Sequence, residues 1–448
     1  MKNILCSRRV FLRSAGAIAG GIAVVPRHVI AGSGQTAPGE KLNIAGIGIG
    51  GIGKDDLEAV RKENIVALCD VDQKYAAPIF EKYPQAKRYR DFRVMLNEMS
   101  EQIDAVIVAT PDHTHAVASM AAIKHGKHVY CEKPLAHSVH ECRQLVKAAK
   151  EHNIVSQLGN QGHSYESIRE FCEWIWDGAI GNVHTIHSGS HAINSGINDL
   201  LQLQQTHEVP STLDWDLWLG PVQHRPYHPC YLPGIWRGWT PFGNGTVGDW
   251  GCHVLDGVFW AFDLGAPKTV QASVNDYNPK TQGDVFPRGE IIAYEFPANT
   301  RRGPITLYWH SGTEPIPRPA ELEPGRPLVD RTGAVVIGDK ASIMYGGHGC
   351  RSVEIIPASK MDAYKRPPKT VPRAKEHHQD WLDSIRAGRK AGSDFSYGGP
   401  LTEVALLGSV AIRFPGIKLE WDTIKMQFSN CSEANRLLNP PYREGWTL

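Results

Sequence analysis

The sequence predicts an α/β fold in two parts: a doubly wound parallel sheet, then an α/β domain with a large open, mainly antiparallel sheet. Three observations predict it. A glycine-rich turn separates an apolar run, Leu42–Ile47, from a helical pattern. Strand and helix patterns then alternate as far as about Asn160, the signature of a sheet covered on both faces. Beyond that point period-two strands and Pro-rich loops take over.

The turn reads G-x-G-x-x-G through Gly48, Gly50 and Gly53, and Asp55, Leu57, Ala59 and Val60 carry the helix onward. The frame Gly46, Gly48, Gly51 also fits, but the later frame leaves the strand its full length. Glycine at such a turn lets the backbone bend tightly and approach a pyrophosphate, which then rests on the free N–H groups of the helix start. The pattern alone is weak and needs a second strand ending in an acid about 20 residues on. Ile65–Asp70 supplies it. A carboxylate at Asp70 accepts both ribose hydroxyls and repels a 2′-phosphate, so the cofactor expected is NAD rather than NADP.

The following elements fall into order. Asp91 caps a helix whose apolar face is Phe92, Met95, Leu96 and Met99. Asp104–Ala109 is a continuous apolar run, as a strand covered on both faces requires. A helix His115–Lys124 stops at Gly126. After the strand His128–Cys131, Ser138 and Glu141 form a capping box opening a helix with Val139, Cys142, Leu145, Val146 and Ala149 on one face. Ile154–Leu158 closes the set. In the second part a helix Tyr165–Asp177 precedes strand-like segments. Ile305–Trp309 alternates, and Val335–Ile337 with Ser342–Tyr345 reads as a hairpin. Pro315–Pro327 and Pro367–Pro372 read as loops, and Glu376–Ala387 as a helix.

A chain of 448 residues is expected to hold two domains. The divisions expected are 1–31 signal peptide, 32–40 linker, 41–160 dinucleotide-binding domain and 161–448 substrate-binding and oligomerisation domain. A net charge of +1 gives no electrostatic footprint for nucleic acid. Nine scattered cysteines without a C-x-x-C pair suggest neither a disulfide framework nor a zinc ribbon, and Cys69 and Cys131 read as small core residues. At the start, Arg8-Arg9 with Phe11-Leu12 precedes a mild apolar run, Ala15–Val25, with a cleavage point after Ala31. This looks like a twin-arginine export signal, too short and mild to span a membrane, and it places the protein in the periplasm or otherwise outside the cytoplasm. With no free NAD pool there, such a protein must hold its cofactor tightly.

Three clusters carry possible chemistry. Ala109–His115 lies at a strand's C-terminal end, where open α/β sheets bind ligands. Its His113-x-His115 could instead be a metal pair, but no third ligand is evident, and no metal is expected. Cys131-Glu132-Lys133-Pro134 offers a lysine that could act as acid or base toward a sugar hydroxyl, or be a plain exposed lysine before a loop proline. Asp249, His253 and Asp256 fall on one helical face. An Asp beside a His raises the imidazole's basicity and would make an acid/base unit. The alternatives are a helix cap with a buried histidine, or half of a metal site.

Together these clusters resemble the glucose–fructose oxidoreductase/inositol dehydrogenase (Gfo/Idh/MocA) family, in particular its exported bacterial members. The resemblance covers Lys41 to the C-terminus apart from loops. It is carried by Gly48–Gly53, Cys69-Asp70-Val71-Asp72, Thr110-Pro111 with His115, Glu132-Lys133-Pro134, Asp249 with His253, and the ending Glu433–Trp446. It implies an N-terminal Rossmann dinucleotide-binding domain and a homodimer or homotetramer assembled through the large sheet. It also implies NAD held by Gly48, Gly50, Gly51, Ile52, Gly53, Asp70, Thr110, Pro111, His115, Glu132, Lys133 and Gln161. The implied catalytic group is Lys133, Asp249 and His253, with His253 as base, Lys133 polarising the reacting oxygen and Asp249 orienting. One departure stands out: Asn160-Gln161-Gly162-His163 occupies a stretch where many members carry a basic pair, so anionic substrates are less expected.

Aromatic residues crowd between Trp215 and Trp260 and could stack on sugar faces or simply pack. Arg237 and Trp239 join Lys133, Asp249 and His253 as candidate substrate contacts. The expected activity is NAD-dependent oxidation of a carbohydrate or polyol hydroxyl. Redox-neutral cleavage or epimerisation of a glycoside through a keto sugar is the alternative, and a non-catalytic sugar-binding protein the third. The expected partner is a small sugar or glycoside.

Overall fold

The computed structural model describes residues 40–328 and 331–448. The expected signal peptide and all but the last residue of the expected linker lie outside them. The first unit is a six-stranded parallel sheet in the order β3-β2-β1-β4-β5-β6. Its elements alternate as β1 (Asn43–Ile47), α1 (Gly53–Ala59), β2 (Asn64–Cys69), α2 (Ala77–Lys82), β3 (Lys87–Tyr89), α3 (Phe92–Met99), β4 (Ala105–Val108), α4 (Asp112–Lys124), β5 (His128–Cys131), α5 (Val139–Glu151) and β6 (Ser156–Leu158). The order reverses at β1, between β2 and β4, and that switch point opens a crevice beyond the strands' C-terminal ends. The expected caps are present. The Asp91 carboxylate accepts from the Arg93 N–H, and Ser138 and Glu141 form the complete box at the start of α5. Helix α4 begins three residues earlier than its expected start, at Asp112, and its four first residues are all buried.

The second unit runs α6 (Glu166–Trp176), β7 (Val183–Ser190), α7 (Trp215–Leu219), α8 (Gly245–Phe262), β8 (Thr269–Val274), β9 (Gly289–Phe296), β10 (Ile305–Gly312), β11 (Gly333–Gly338), β12 (Ser342–Gly346), β13 (Arg351–Ile356), α9 (Ala358–Ala363), α10 (His377–Ala387), α11 (Phe395–Ile412), β14 (Leu419–Asp422), β15 (Gln427–Phe428) and α12 (Ser432–Asn435). Nine strands form one sheet, β13-β12-β11-β7-β10-β9-β8-β14-β15. Every pairing is antiparallel except β7 with β10. Helices α6, α8 and α11 contact one face. Alternate residues of β9 and β10 are buried against them, and the opposite face, with His187 stacked on Tyr308, is half-exposed. Helices α8 and α11 are buried on nearly every side, and α11 accommodates Pro400 within it.

The expected core cysteines are buried: Cys69 is in contact with the packing beneath β2, and Cys131 with that beneath β5. All eight cysteines among the described residues are free thiols. No helix among the described residues is long and apolar enough to cross a membrane.

Candidate active site

A cavity of about 740 Å³ lies between the two units, over the switch point of the parallel sheet. One end is the glycine turn. Gly48 has φ +79°, and a Cβ there would stand 2.7 Å from the Thr110 nitrogen, so the turn after β1 lies hard against the turn after β4. Any side chain at Gly48 would part the two or distort the backbone. Helix α1 begins at Gly53, which abuts the Gly48 carbonyl, and Gly50 faces the Tyr75 ring. Gly48, Gly50, Gly51 and Ile52 line the cavity; Gly53 stands behind them as a packing residue.

Asp70 also lines this end. Its carboxylate accepts from the N–H groups of Ile49 (2.9 Å), Gly50 (3.1 Å) and Asp72 (2.9 Å). Burial raises its pKa to about 6, against the pull of those three donors. Its oxygens keep lone pairs for ribose hydroxyls. A dinucleotide therefore fits this end: the glycine-lined turn admits a pyrophosphate and the acid sits where a ribose would lie.

Thr110, Pro111, His115, Glu132 and Gln161 line the middle. The His115 ring bridges the two strand-end turns, with Nδ1 2.7 Å from the Pro134 carbonyl oxygen and Nε2 2.7 Å from that of Thr110. Burial lowers its pKa to about 4. His115 thus braces the walls. His113 is likewise tied to backbone carbonyls, those of Trp218 and Phe242. Neither histidine of the pair is turned toward the other as a ligand, and no cluster among the described residues could hold a metal. Gln161 Nε2 donates to Glu132 at 2.7 Å. Burial, then the charge of Asp56, pushes the Glu132 pKa up to about 8.

The other end gathers the reactive groups. The Lys133 ammonium donates to Asp249 Oδ1 at 2.6 Å and to the Asp249 carbonyl at 2.9 Å; their side chains are 12% and 17% exposed. Arg237 Nε donates to the same Oδ1 at 3.0 Å, and Asn194 Nδ2 to Oδ2 at 3.0 Å. Burial would raise the Asp249 pKa, but Lys133 and Arg237 overcome it and hold the carboxyl well below the usual range. His253, one turn along α8, is 5% exposed.

The expected Asp249–His253 acid/base unit is not formed. Asp249 turns to Lys133 and Arg237, and His253 instead stacks on His348, with centroids 4.1 Å apart and planes 16° apart. Burial, Lys133 and His348 drive the His253 pKa well below its normal value, overriding the weaker pull of Asp249. These influences favour the neutral imidazole, and its Nδ1 is buried without a partner. The second acid of that helical face, Asp256, lies deeper. It accepts from Asn160 at 2.9 Å, contacts His163 Nδ1 at 2.9 Å and accepts from the Tyr397 hydroxyl at 2.5 Å, tying α8 to the end of β6.

Arg237 lines the cavity and its guanidinium lies over the Trp236 ring at 4.2 Å. Trp239 does not reach the cavity. Its ring is fully buried (0% exposed), with Nε1 donating to the Cys230 carbonyl and Tyr231 set edge-on against it, so it is a packing residue rather than a platform for substrate. Trp218, Trp236 and Trp250 supply the aromatic wall instead.

His348 went unread in the sequence. It lines the cavity at φ +52° in the turn between β12 and β13, with Trp250 edge-on to its ring. The turn is seated on the segment after β6: Gly349 and Gly162 meet backbone to backbone, with no room for a Cβ on either. A histidine bracketed by glycines, Gly346-Gly347-His348-Gly349, was the signal available. Asp112, another cavity residue, accepts from Asn244 at 3.2 Å; burial raises its pKa to about 6 against the pull of Arg237, His137 and Lys133.

Residues 42–160 match the family model described as the NAD-binding Rossmann fold of the GFO/IDH/MocA oxidoreductases, and residues 196–297 match the C-terminal alpha/beta domain of the same family. Both matched segments thus carry the domains of the Gfo/Idh/MocA oxidoreductase family. Among curated relatives the chain is 29% identical over 169 residues to the inositol 2-dehydrogenase of Salmonella typhimurium, which is 36% of this chain and 49% of that protein. It is 38% identical over 88 residues to the 2,7-anhydro-N-acetylneuraminate hydratase of Mediterraneibacter gnavus, covering 20% and 24%. The chain thus spans 24% and 49% of the length of these two curated relatives. Its fold matches an inositol dehydrogenase homolog from Azotobacter vinelandii complexed with NADH and myo-inositol, with TM-score 0.55, 17% identity and coverage of 85% of this chain and 98% of that one.

Proposed function

We propose that this protein is an NAD-dependent oxidoreductase acting on a carbohydrate or polyol hydroxyl. The observation that carries the reading is the Lys133–Asp249 pair beside a neutral His253, in the same cavity as the glycine turn and Asp70. NAD, when bound, supplies the hydride acceptor. The glycine turn and Asp70 would hold its pyrophosphate and adenosine ribose. Lys133, anchored by Asp249, presents an ammonium to the reacting oxygen and stabilises negative charge developing there. Neutral His253 takes the hydroxyl proton. Arg237 and Asn194 keep Asp249 ionised and aimed, and Trp218, Trp236 and Trp250 exclude water and offer rings to sugar C–H faces. The test is a screen of sugars and polyols for reduction of NAD by the purified protein. Reduction by none of them, in protein shown to bind NAD, would overturn net oxidation and leave the redox-neutral and binding-protein readings.

A second reading is redox-neutral. The segment 212–219 is bonded directly to the Rossmann unit: Gln73 N–H donates to the Thr212 carbonyl at 3.0 Å, Asp214 N–H to the Val71 carbonyl at 2.9 Å, and Asp72 bridges Leu213. Leu213, Leu217 and Trp218 of this strap cover the cavity. A strap of this kind favours a retained cofactor, restored at the end of each turnover, as a keto-sugar route to glycoside cleavage or epimerisation needs. Multiple turnovers with aglycone release and no added NAD would favour this reading; a single stoichiometric reduction of bound NAD would favour net oxidation.

The export reading rests on Arg8-Arg9 and the apolar run after it, and cell fractionation tests it. For assembly we propose a homodimer or homotetramer through the half-exposed face of the nine-stranded sheet, where His187 and Tyr308 stack. A monomer in light scattering would refute it.

A further inference from the structure

A second cavity, of about 280 Å³, lies behind the reactive one. Its walls come from the start of α5, the approach to α8, the last turn of α11, residues 221–225 and the C-terminal segment 437–442. Three charged side chains line it: Arg225, Arg413 and Glu141. The Glu141 carboxylate is fully engaged, accepting from the N–H groups of His137 (3.0 Å) and Ser138 (2.8 Å) and from the Tyr442 hydroxyl (2.5 Å). The histidines of the wall, His113 and His137, face backbone carbonyls.

The two arginines are different. Both Nε atoms are buried without a hydrogen-bond partner. Tyr231 shares a hydrogen bond with Arg225 and Tyr277 with Arg413, but phenols do not neutralise a guanidinium. The carboxylate nearest Arg225 is that of Asp284, at 3.9 Å and half-exposed. Among the described residues no carboxylate lies within ion-pair range of Arg413. Gly283, next to Asp284, lies against the Arg413 guanidinium, so the two cations flank one short stretch of chain. Buried N–H groups on a charged fork are costly to leave unpaired, and the planar fork matches an oxyanion two bonds at a time. The space is too small for a nucleotide and ample for a phosphate group or a small dicarboxylate.

We infer that this cavity is a binding site for a small oxyanion, phosphate or dicarboxylate, held between Arg225 and Arg413. It is separate from the reactive cavity and does not depend on which sugar, if any, is oxidised there. The two cavities share a wall: Asn244, lining the second, donates to Asp112, lining the first, and leads directly into α8 with Asp249 and His253. An anion settled there is therefore coupled to the position of that helix, and the coupling must be reciprocal.

The test is isothermal titration of the full chain with sodium phosphate and, separately, sodium malonate, at constant ionic strength with sodium chloride as the blank. The titration is repeated on protein saturated with NAD, so that the pyrophosphate subsite cannot contribute. Expected is saturable one-to-one binding of one of the two anions, weakened at least about tenfold in Arg225→Gln and Arg413→Gln. Stronger binding of phosphate identifies a phosphate group; stronger binding of malonate identifies a dicarboxylate. Arg225→Lys, which keeps the charge and loses the fork, guards against a glutamine variant that fails to fold; it should also bind more weakly. Absence of saturable binding by both anions, or binding unchanged in variants that melt as the wild type does, overturns the inference.

Discussion

Replacing Lys133 by methionine keeps the length of the side chain and deletes the ammonium. Asp249 would lose the shorter of its two ion pairs, 2.6 Å, and keep Arg237 at 3.0 Å and Asn194 at 3.0 Å. Breaking a fully buried pair costs about 3–5 kcal/mol because a charge is stranded. Here a second cation remains and both partners touch the cavity, so a loss of about 1–2 kcal/mol is expected. The effect on turnover should be larger, about 10²- to 10³-fold in kcat, the usual span for a donor aimed at developing negative charge. That corresponds to about 3–4 kcal/mol of barrier, above the stability loss, so a folded variant must show it. The pH profile should move as well. Lys133 is the largest cause after burial of the lowered His253 pKa, so without it the imidazole protonates at higher pH and the acid limb of residual activity shifts upward. The assay is sugar-dependent NAD reduction across pH, with bound NAD quantified in the same sample. Activity within about twofold of wild type, with NAD bound, would refute the assignment of Lys133.

Asp70→Ser removes the ribose acceptor and the repulsion of a 2′-phosphate; NAD should bind about tenfold more weakly and NADP should gain on it, measured by equilibrium titration. Gly48→Ala forces a Cβ against the Thr110 nitrogen at a backbone angle of +79° and should cost about 1–3 kcal/mol with loss of NAD binding, read by thermal denaturation with and without cofactor. His348→Ala removes the ring stacked on His253 and opens the sugar end, so KM for the sugar should rise about tenfold, more than kcat falls; an unchanged KM would exclude substrate contact. Glu132, raised to about 8 in the folded protein, contributes stability that is full below the ordinary carboxyl range and lost as pH rises through about 8. Glu132→Gln keeps the acceptor for Gln161 and removes that loss, so its melting temperature should gain on wild type more at pH 8 than at pH 5, in paired scans.

Much of this molecule was legible because its strongest signals are local. The turn Gly48–Gly53, the cap at Asp91 and the box Ser138/Glu141 are fixed by a few neighbouring residues, and each stands where the spacing put it. Helix α11 was not legible: Phe395–Ile412 is apolar on all sides and holds Pro400, so no polar face sets a 3.6-residue period. The site divided along the same line. Lys133, Asp249 and His253 come together in one cavity, yet helical spacing put Asp249 with His253. The long-range pull of Lys133, from a different domain, took Asp249 away. Trp239 failed as a platform because composition counts rings and cannot say which faces are already covered. His348 depends on a turn nearly two hundred residues from Gly162, and no local pattern records that meeting.

That meeting of Gly162 with Gly349 bears on how such a protein could be re-engineered. Because backbone lies on backbone, the pair works as a keystone between the halves: the hairpin carrying His348 can seat only where both surfaces are bare. A chimera joined after Gly162, so that another dinucleotide-binding half supplies the segment following β6, would keep His348 in place only if that half offered a glycine at the matching spot. With alanine there, the hairpin would ride outward and take the imidazole away from His253.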